Sequence, residues 1–249
     1  MPSALSSHPI YLVCGDKGGV GKSMVSVALV HHLAQRGTAL LLIETDTSNP
    51  DVWRCYEQEP GIVSRSVGLD DADGWITLVN LCETHPDHTL VINTAARSNT
   101  GVGRHGEILN GAVQELNRAL VALWVINRQR DSVALLKRFL PSIPTATVHV
   151  LRNLYFGDSE KFELYNQSAL RQTLEARGGR SLDFPDLADR VADDLISRRL
   201  SVARALRELP LGNRAELRRW EKACAATLGA ITELDETGNE RDGLQDAAA

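Results

Sequence analysis

The sequence predicts an α/β fold: a mostly parallel central sheet with helices on both faces. Three observations favour this class. Short continuous apolar runs alternate with stretches of helical length, a glycine-rich loop follows the first run, and 249 residues suit one large domain. Hydrophobic residues make up 43% of the chain and charged residues 24%, as in ordinary soluble globular proteins. We predict a single domain over 1–232, followed by an acidic, disordered tail at 233–249.

Each element follows from this alternation, taken in order. The run IYLVC (10–14) predicts the first strand because it is apolar throughout, and Gly37 predicts the end of the first helix. Strands are predicted at 10–14, 39–43, 89–93, 119–126, 146–151 and 181–184. Helices are predicted at 22–36, 73–85, 105–117, 131–140, 159–177, 186–208 and 213–232. Apolar strands between helices indicate a sheet that is covered on both faces.

Composition excludes several classes of protein. No apolar run approaches the ~20 residues that span a bilayer, and the N-terminal MPSALSSHP lacks the features of a secretory signal. The cysteines form no CxxC pair, which favours reduced thiols in or near a core over a zinc or iron–sulfur site. We expect a cytoplasmic bacterial protein without a membrane partner, associated with the nucleoid if it binds DNA.

Charge is segregated along the chain. The formal net charge is −5, and the tail 233–249 alone holds six acidic residues against one arginine. The segment 198–219 instead carries seven arginines and two glutamates. A basic segment of this kind indicates a partner that bears phosphates, although an ordinary solvated helix surface is the alternative.

A phosphate-binding loop is predicted between the first strand and the first helix, at CGDKGGVGKS (14–23). Its glycines let the backbone turn N–H groups towards an anion, and the start of the helix adds the positive end of its dipole. We predict that Lys22 contacts the β- and γ-phosphates and that Ser23 ligates Mg²⁺. The expected nucleotide contacts in the loop are Gly18, Gly19, Val20, Gly21, Lys22, Ser23 and Met24. A glycine-rich turn without a ligand is the alternative.

The run KGGVGKS (17–23) resembles the deviant Walker A motif, KGGxGK[ST], of ParA/MinD-type ATPases. The resemblance implies ATP as the ligand and a nucleotide-dependent homodimer, in which Lys17 reaches the phosphates that the partner subunit holds. A cation shared in this way offsets the charge of the triphosphate, so ATP becomes part of the interface. A solvated loop lysine is the alternative for Lys17.

Two further motifs extend the resemblance. In ETDTSNPD (44–51), Asp46 matches the acid that positions the attacking water and approaches Mg²⁺, so we expect Lys17, Lys22 and Asp46 to act in catalysis. A turn built from Asp and Asn side chains is the alternative. The strand TLVIN ends in Asn93, where the family usually has an aspartate. The predicted metal residues are therefore Ser23, Asp46 and Asn93, and the missing charge predicts slow hydrolysis.

The base site and a DNA-binding surface are predicted from the last third of the chain. The resemblance implies that Asn153 bonds the adenine edge and that Pro185 covers its face; a capped turn and a helix start are the alternatives. ParA relatives bind DNA without sequence preference through basic C-terminal residues. We therefore predict DNA contacts at Arg198, Arg199, Arg214, Arg218 and Arg219.

These predictions together favour an ATP-dependent dimerising switch that acts in plasmid partition, stability or conjugative mobilisation. TDTSNPDV (45–52) and FPDLADRV (184–191) resemble the StbB-like and TraL-like branch, which implies a partner protein that stimulates hydrolysis or links cargo. Two alternatives remain. One is a nucleotide-binding adaptor that hydrolyses little ATP, and the other is a metabolic ligase on the same fold, similar to dethiobiotin synthase.

Overall fold

A computed structural model describes residues 6–15, 18–96 and 99–245, with side-chain positions for 8–15, 18–96 and 101–232. The strands are β1 (Ser6–Gly15), β2 (Leu40–Glu44), β3 (Ile62–Ser66), β4 (Thr89–Asn93), β5 (Arg118–Ile126), β6 (Thr147–Asn153) and β7 (Ser181–Phe184). The α-helices are α1 (Lys22–Gln35), α2 (Asp51–Tyr56), α3 (Ala72–Thr84), α4 (Asn99–Glu115), α5 (Arg130–Phe139), α6 (Glu163–Asn166), α7 (Ala169–Ala176), α8 (Asp189–Ser197), α9 (Val202–Glu208) and α10 (Leu211–Gln245).

The strands form one seven-stranded sheet in the order β3-β2-β4-β1-β5-β6-β7. Every pairing between the described strands is parallel, and β1 lies at the centre, between β4 and β5. From β1 the chain first adds β2, β3 and β4 on one side of the sheet and then β5, β6 and β7 on the other side. In open parallel sheets, ligands bind at such a point, beyond the carboxyl ends of the strands.

Two apolar layers cover the two faces of the sheet. Tyr11 and Val13 point into a layer built with α1, α2 and α8–α10, whereas Ile10 and Leu12 point into a layer with α3–α5. This alternation is the two-residue period of a strand buried on both faces. The predicted fold class is therefore confirmed, with helices on both faces of a parallel sheet.

The observed elements differ from the predicted ones in several places. The region 159–177 holds two short helices, α6 and α7, and α4 begins at Asn99 instead of residue 105. Residues 51–66 form α2 and the edge strand β3, where no element is predicted. The predicted helix 186–208 is two helices, α8 and α9, which are separated at Arg198–Ser201. No helix in the described ranges combines the length and apolar character needed to cross a bilayer.

The last helix begins earlier and ends later than predicted. α10 starts at Leu211, so Asn213 lies inside it, buried, and donates from Nδ2 to Asp194 Oδ2 across 2.7 Å. The helix also runs past residue 232 to Gln245. Side chains beyond Thr232 lie outside the described residues, and the disordered tail at 233–249 stays a prediction.

Candidate nucleotide-binding site

The predicted site residues lie at one edge of the sheet. β1 ends at Gly15, β2 at Glu44, β4 at Asn93, β6 at Asn153 and β7 at Phe184. Since the strands are parallel, all these carboxyl ends face the same side, and the loops that follow them surround the start of α1. The fold thus brings together segments that are more than a hundred residues apart in sequence.

The phosphate loop leads directly into the first turn of α1. Gly19 and Gly21 have φ of +78° and +102°, the left-handed region that a side chain disfavours, and Gly21 is the N-cap of α1. Lys22 is buried and Ser23 is half-buried in the first turn. The loop and the helix start therefore have the arrangement expected of an anion site. Asp16 and Lys17 lie outside the described residues.

Asn153 fastens the end of β6 to the phosphate loop. Its Nδ2 donates to the backbone oxygen of Val20 across 2.8 Å, and its Oδ1 accepts from the backbone N–H of Tyr155 across 3.1 Å. A Cβ at residue 21 would collide with the Asn153 amide, so glycine is required there for space as well as for φ. Asn153 thus caps a turn and positions the loop, while a bond to the base stays a prediction.

A cleft of about 210 Å³ adjoins the phosphate loop. One wall comes from Gly19, Gly21 and Met24, and the other from the β7–α8 connection, with Pro185 and Asp186. Trp220 of α10 lines the cleft and donates from Nε1 to the Pro185 oxygen across 3.0 Å, which fixes that connection. Five residues predicted to contact the nucleotide therefore line one cavity: Gly19, Gly21, Met24, Asn153 and Pro185.

Sequence reasoning missed several side chains in this cleft, among them Tyr155 and Asp186. Tyr155 lines it with an exposed ring, which packs edge-to-face on Phe156 at 5.2 Å between centroids. Asp186 also lines it, and burial is the main cause that raises the pKa of its carboxyl group. The sequence carries one signal for Tyr155: an aromatic pair that directly follows Asn153 at the end of a strand.

Asp46 lies in the loop after β2, which is linked to the loop after β4. Its Oδ1 accepts from the backbone N–H of Asn49 across 2.9 Å, and its side chain is half-buried. The Thr45 hydroxyl accepts from the backbone N–H of Ala95 across 2.9 Å. A Cβ on Gly18 would lie 3.6 Å from the Ala96 methyl group, so the loop after β4 also reaches the phosphate loop.

Asn93 belongs to a buried hydrogen-bond network. Its Oδ1 accepts from the Ser26 hydroxyl across 2.8 Å, and its Nδ2 donates to Glu44 Oε1 and Oε2 across 2.9 and 3.1 Å. Glu44 also accepts from the backbone N–H of Asp46 across 3.0 Å. The amide of Asn93 therefore supports a buried acid by hydrogen bonding, a role that the sequence did not reveal.

Burial is the main influence on the pKa of Glu44. The carboxyl group is fully buried, and loss of water raises its pKa to about 7, although the hydrogen bonds from Asp46 and Asn93 oppose the shift. A second carboxylate at residue 93 would face this group directly. The amide at residue 93 therefore suits the acid at residue 44, because two carboxylates in one buried site would repel each other.

Oxygen donors suited to Mg²⁺ are present beside the phosphate loop. The Ser23 hydroxyl lies on the first turn of α1, and Asp46 supplies a half-buried carboxylate from the loop after β2. The Asn93 oxygen already accepts one hydrogen bond and retains its second lone pair. These donors fit the ion, and the full set Ser23, Asp46 and Asn93 stays a prediction.

The arginines predicted to contact DNA divide into two groups. Arg198 and Arg199 line a pocket at the end of α8, while Arg214, Arg218 and Arg219 lie on the first turns of α10. Arg218 is exposed. Arg219 pairs with Glu216 at 2.7 Å and donates to the Asp186 oxygen at 2.9 Å, so it holds the wall of the cleft.

Known proteins resemble this chain in sequence and fold. A family model described as the CobQ/CobB/MinD/ParA nucleotide binding domain matches residues 11–156. Protein MobD of Acidithiobacillus ferrooxidans is 56% identical over 222 residues, which cover 89% of this chain and 97% of the relative. The cell division ATPase MinD of Pyrococcus furiosus superposes with a TM-score of 0.57 at 13% identity, covering 90% of this chain and 99% of that one. MinD of Aquifex aeolicus gives 0.51 at 16% identity, over 85% and 95% of the two chains.

Proposed function

The chain belongs to the CobQ/CobB/MinD/ParA nucleotide-binding family, and from this premise we propose that it is a slow ATPase that switches between monomer and ATP-bound homodimer. One observation carries most of the weight: the glycine loop, buried Lys22 and the Asp46 loop converge at the carboxyl ends of β1 and β2. A relative of the same fold is described as an ATPase.

The residues would divide the chemistry as follows. The loop N–H groups and Lys22 would hold the phosphates, and Ser23 with Asp46 would hold Mg²⁺, which offsets phosphate charge when bound. Asp46 would also orient the water that attacks the γ-phosphorus. Asn93 brings an uncharged amide to the position where an acid is usual. We therefore expect turnover to be slow.

Lys17 would join the two subunits. In the proposed dimer its ammonium group contacts the triphosphate bound by the partner, so the interface forms with ATP and weakens after hydrolysis. Light scattering on the full chain tests this directly. The mass should double with a non-hydrolysable ATP analogue and remain that of one chain with ADP. The same mass with the ATP analogue and with ADP would rule out the proposed switch, whether or not ATP binds.

DNA is the second proposed partner, bound without sequence preference. Arg198, Arg199 and Arg218 support this because they are exposed cations on the α8–α10 side of the molecule. Replacing Arg198 and Arg218 with glutamate should weaken duplex binding and make the slope of its salt dependence shallower by about one for each phosphate that is no longer neutralised. An exposed arginine on another helix, Arg138, gives the matched control. An unchanged gel shift would show that these arginines are ordinary surface residues without a role in DNA binding.

We propose that the switch acts in plasmid partition, stability or conjugative mobilisation, in the bacterial cytoplasm. Similarity to Protein MobD along most of both chains supports the mobilisation branch. A relative of this fold is described in a MinC:MinD complex, which supports a protein partner that reads the nucleotide state. Pull-down of the full chain with ATP analogue and with ADP, followed by identification of proteins held only in one state, tests for such a partner.

One observation favours an alternative, an adaptor that binds ATP and barely hydrolyses it. The Asn93 amide is committed to Ser26 and Glu44, so β4 ends in an uncharged side chain that is already hydrogen-bonded. Turnover measured with and without duplex DNA separates the two functions. Stimulation by DNA supports the ATPase switch, whereas tight ATP binding with no turnover under either condition supports the adaptor.

A further inference from the structure

A positively charged pocket of about 160 Å³ lies between α2 and the junction of α8 with α9. Its charged lining consists of Arg54, Arg198, Arg199 and Arg204 with Glu57 and Glu59. The lining holds four arginines and two glutamates, and carboxylates beside it pair with two of the arginines, so the attraction for an anion comes from Arg198 and Arg199. The pocket and the nucleotide cleft have no lining residue in common.

The four arginines differ in their ion pairing. Arg204 pairs with Glu208 at 3.0 Å, and Arg54 lies 3.6 Å from Asp51. Arg198 and Arg199 form no ion pair within the part of the chain that the structure describes. Their guanidinium groups are therefore the cations of this pocket that no described carboxylate contacts directly.

The backbone at Arg199 is unusual. α8 ends with the N–H of residue 199 bonded to the Ile196 oxygen at 3.2 Å and the N–H of Leu200 bonded to the Leu195 oxygen at 2.9 Å. This pair of bonds is the Schellman motif, in which the residue after the helix takes a left-handed conformation and is usually glycine. Here that residue is Arg199, with φ of +53°.

An arginine in this position has a cost that a glycine avoids, because its Cβ crowds the backbone in the left-handed region. Strained positions of this kind concentrate where a side chain serves a ligand. The left-handed backbone turns the chain sharply between α8 and α9, and Arg199 lines the pocket beside Arg198. Strain, positive charge and concavity thus coincide at one residue.

We propose that Arg198 and Arg199, with Arg54, form a binding site for one phosphate group in this pocket. The volume is about five times that of a water molecule in the liquid, which suffices for a phosphate group with part of its hydration shell. Planar guanidinium groups bind phosphate oxygens in pairs. The phosphate belongs either to a DNA backbone, which extends the proposed DNA contact, or to a small phosphorylated molecule.

Replacing Arg199 with glycine tests this site, because stability should rise while anion affinity falls. Arg199→Gly should raise Tm by about 1–3 °C, since glycine adopts the left-handed backbone without crowding. The same change should weaken anion binding roughly tenfold or more. Two probes are used on the full chain with one equivalent of ADP, which fills the phosphate loop without an excess that would compete at the pocket: inorganic pyrophosphate and a short DNA duplex.

The probes distinguish the two sources of the phosphate. A loss confined to the duplex, with a salt slope shallower by about one, identifies a DNA backbone phosphate; a loss of pyrophosphate affinity identifies a small ligand. Arg198→Ala should weaken the same probe while leaving the left-handed residue in place. Unchanged affinity of Arg199→Gly for both probes, or no binding of either by the wild-type chain, overturns the site.

Two variants serve as controls. Among the described residues other than glycine, Asn117 also has a left-handed backbone, with φ of +51°. Asn117→Gly therefore reproduces the backbone change away from the pocket. Arg138→Ala removes an exposed positive charge on α5. Both should leave anion affinity unchanged, and an equal loss in either would overturn the assignment. ATP turnover is measured in parallel, so a chain without turnover but with an Arg199-dependent anion site would contradict only the proposed ATPase.

Discussion

The Asn153 amide donates to the backbone oxygen of Val20 across 2.8 Å, which ties β6 to the phosphate loop. This bond joins a strand end to a loop more than a hundred residues earlier. Because Val20 is buried, its oxygen depends on this amide for its hydrogen bond. The conformation of the loop therefore depends on the side chain of Asn153, which bonds to the loop backbone.

Asn153→Ala should consequently lower the free energy of unfolding by about 1–3 kcal/mol, the usual cost of a buried group left without a partner. ATP affinity should fall as well, because the loop loses an anchor. Chemical denaturation and calorimetry measure the two effects. Asn80→Ala, at an exposed position of α3, is the control. Unchanged stability would show that the loop holds its shape without this bond.

Lys22→Ala should abolish nucleotide binding. The lysine is buried in the first turn of α1, where its ammonium group would meet the β- and γ-phosphates in a charge-assisted contact. We expect ATP affinity to fall roughly 100-fold or more in calorimetry, with little change for Lys137→Ala on the exposed face of α5. Wild-type affinity in the Lys22 variant would refute the phosphate-loop assignment.

Asp46→Ala should separate binding from hydrolysis. Its carboxylate stands in the loop after β2, and its loss removes the group that would orient the attacking water, so turnover should drop roughly 100-fold or more. ATP binding should persist, and the dimer should accumulate in light scattering. Asp70→Ala, at an exposed position, provides the comparison. Turnover at the wild-type rate would reject the catalytic role of Asp46.

The central strands and the phosphate loop were predictable because their signals are local. β1 and β2 are continuous apolar runs, and in the described part of the loop glycines stand at the two positions where φ is positive. β3 escaped prediction because IVSRS is a half-exposed edge strand, with neither a continuous apolar run nor a strict alternation. The six-residue α2 is too short to show a helical period.

Other features depend on tertiary contacts that a sequence pattern does not display. The break between α8 and α9 falls at Arg199, where no glycine or proline marks it. Asn93 was predicted as a metal residue from its position at the end of a strand. Its partners Glu44 and Ser26 lie 49 and 67 residues away in sequence, so only the folded sheet shows the network.

Asn93→Asp tests the link between residues 93 and 44. The change places a second carboxyl group against buried Glu44, and we expect the free energy of unfolding at pH 8 to fall by about 2–4 kcal/mol. Adding Glu44→Gln should recover most of that loss, because the new amide donates to the new acid. Denaturation of the two single variants and the double variant measures the coupling. The coupling would be contradicted if the stability change of the double variant equalled the sum of the changes in the two single variants.

Glu44→Gln also predicts a specific pH dependence of stability. Burial raises the pKa of Glu44 to about 7 in the folded chain, whereas the unfolded carboxyl group titrates near 4.5. The folded state therefore holds an extra proton between these values, and the stability that Glu44 contributes is complete below pH 4.5 and lost as pH rises through 7. An uncharged glutamine keeps the acceptor for Asn93 without this loss. The variant should match the wild type near pH 4.5 and exceed it by roughly 3 kcal/mol at pH 8. Denaturation curves at both values measure the difference; a constant gap between the two proteins, or none at pH 8, would show that Glu44 ionises normally in the folded chain.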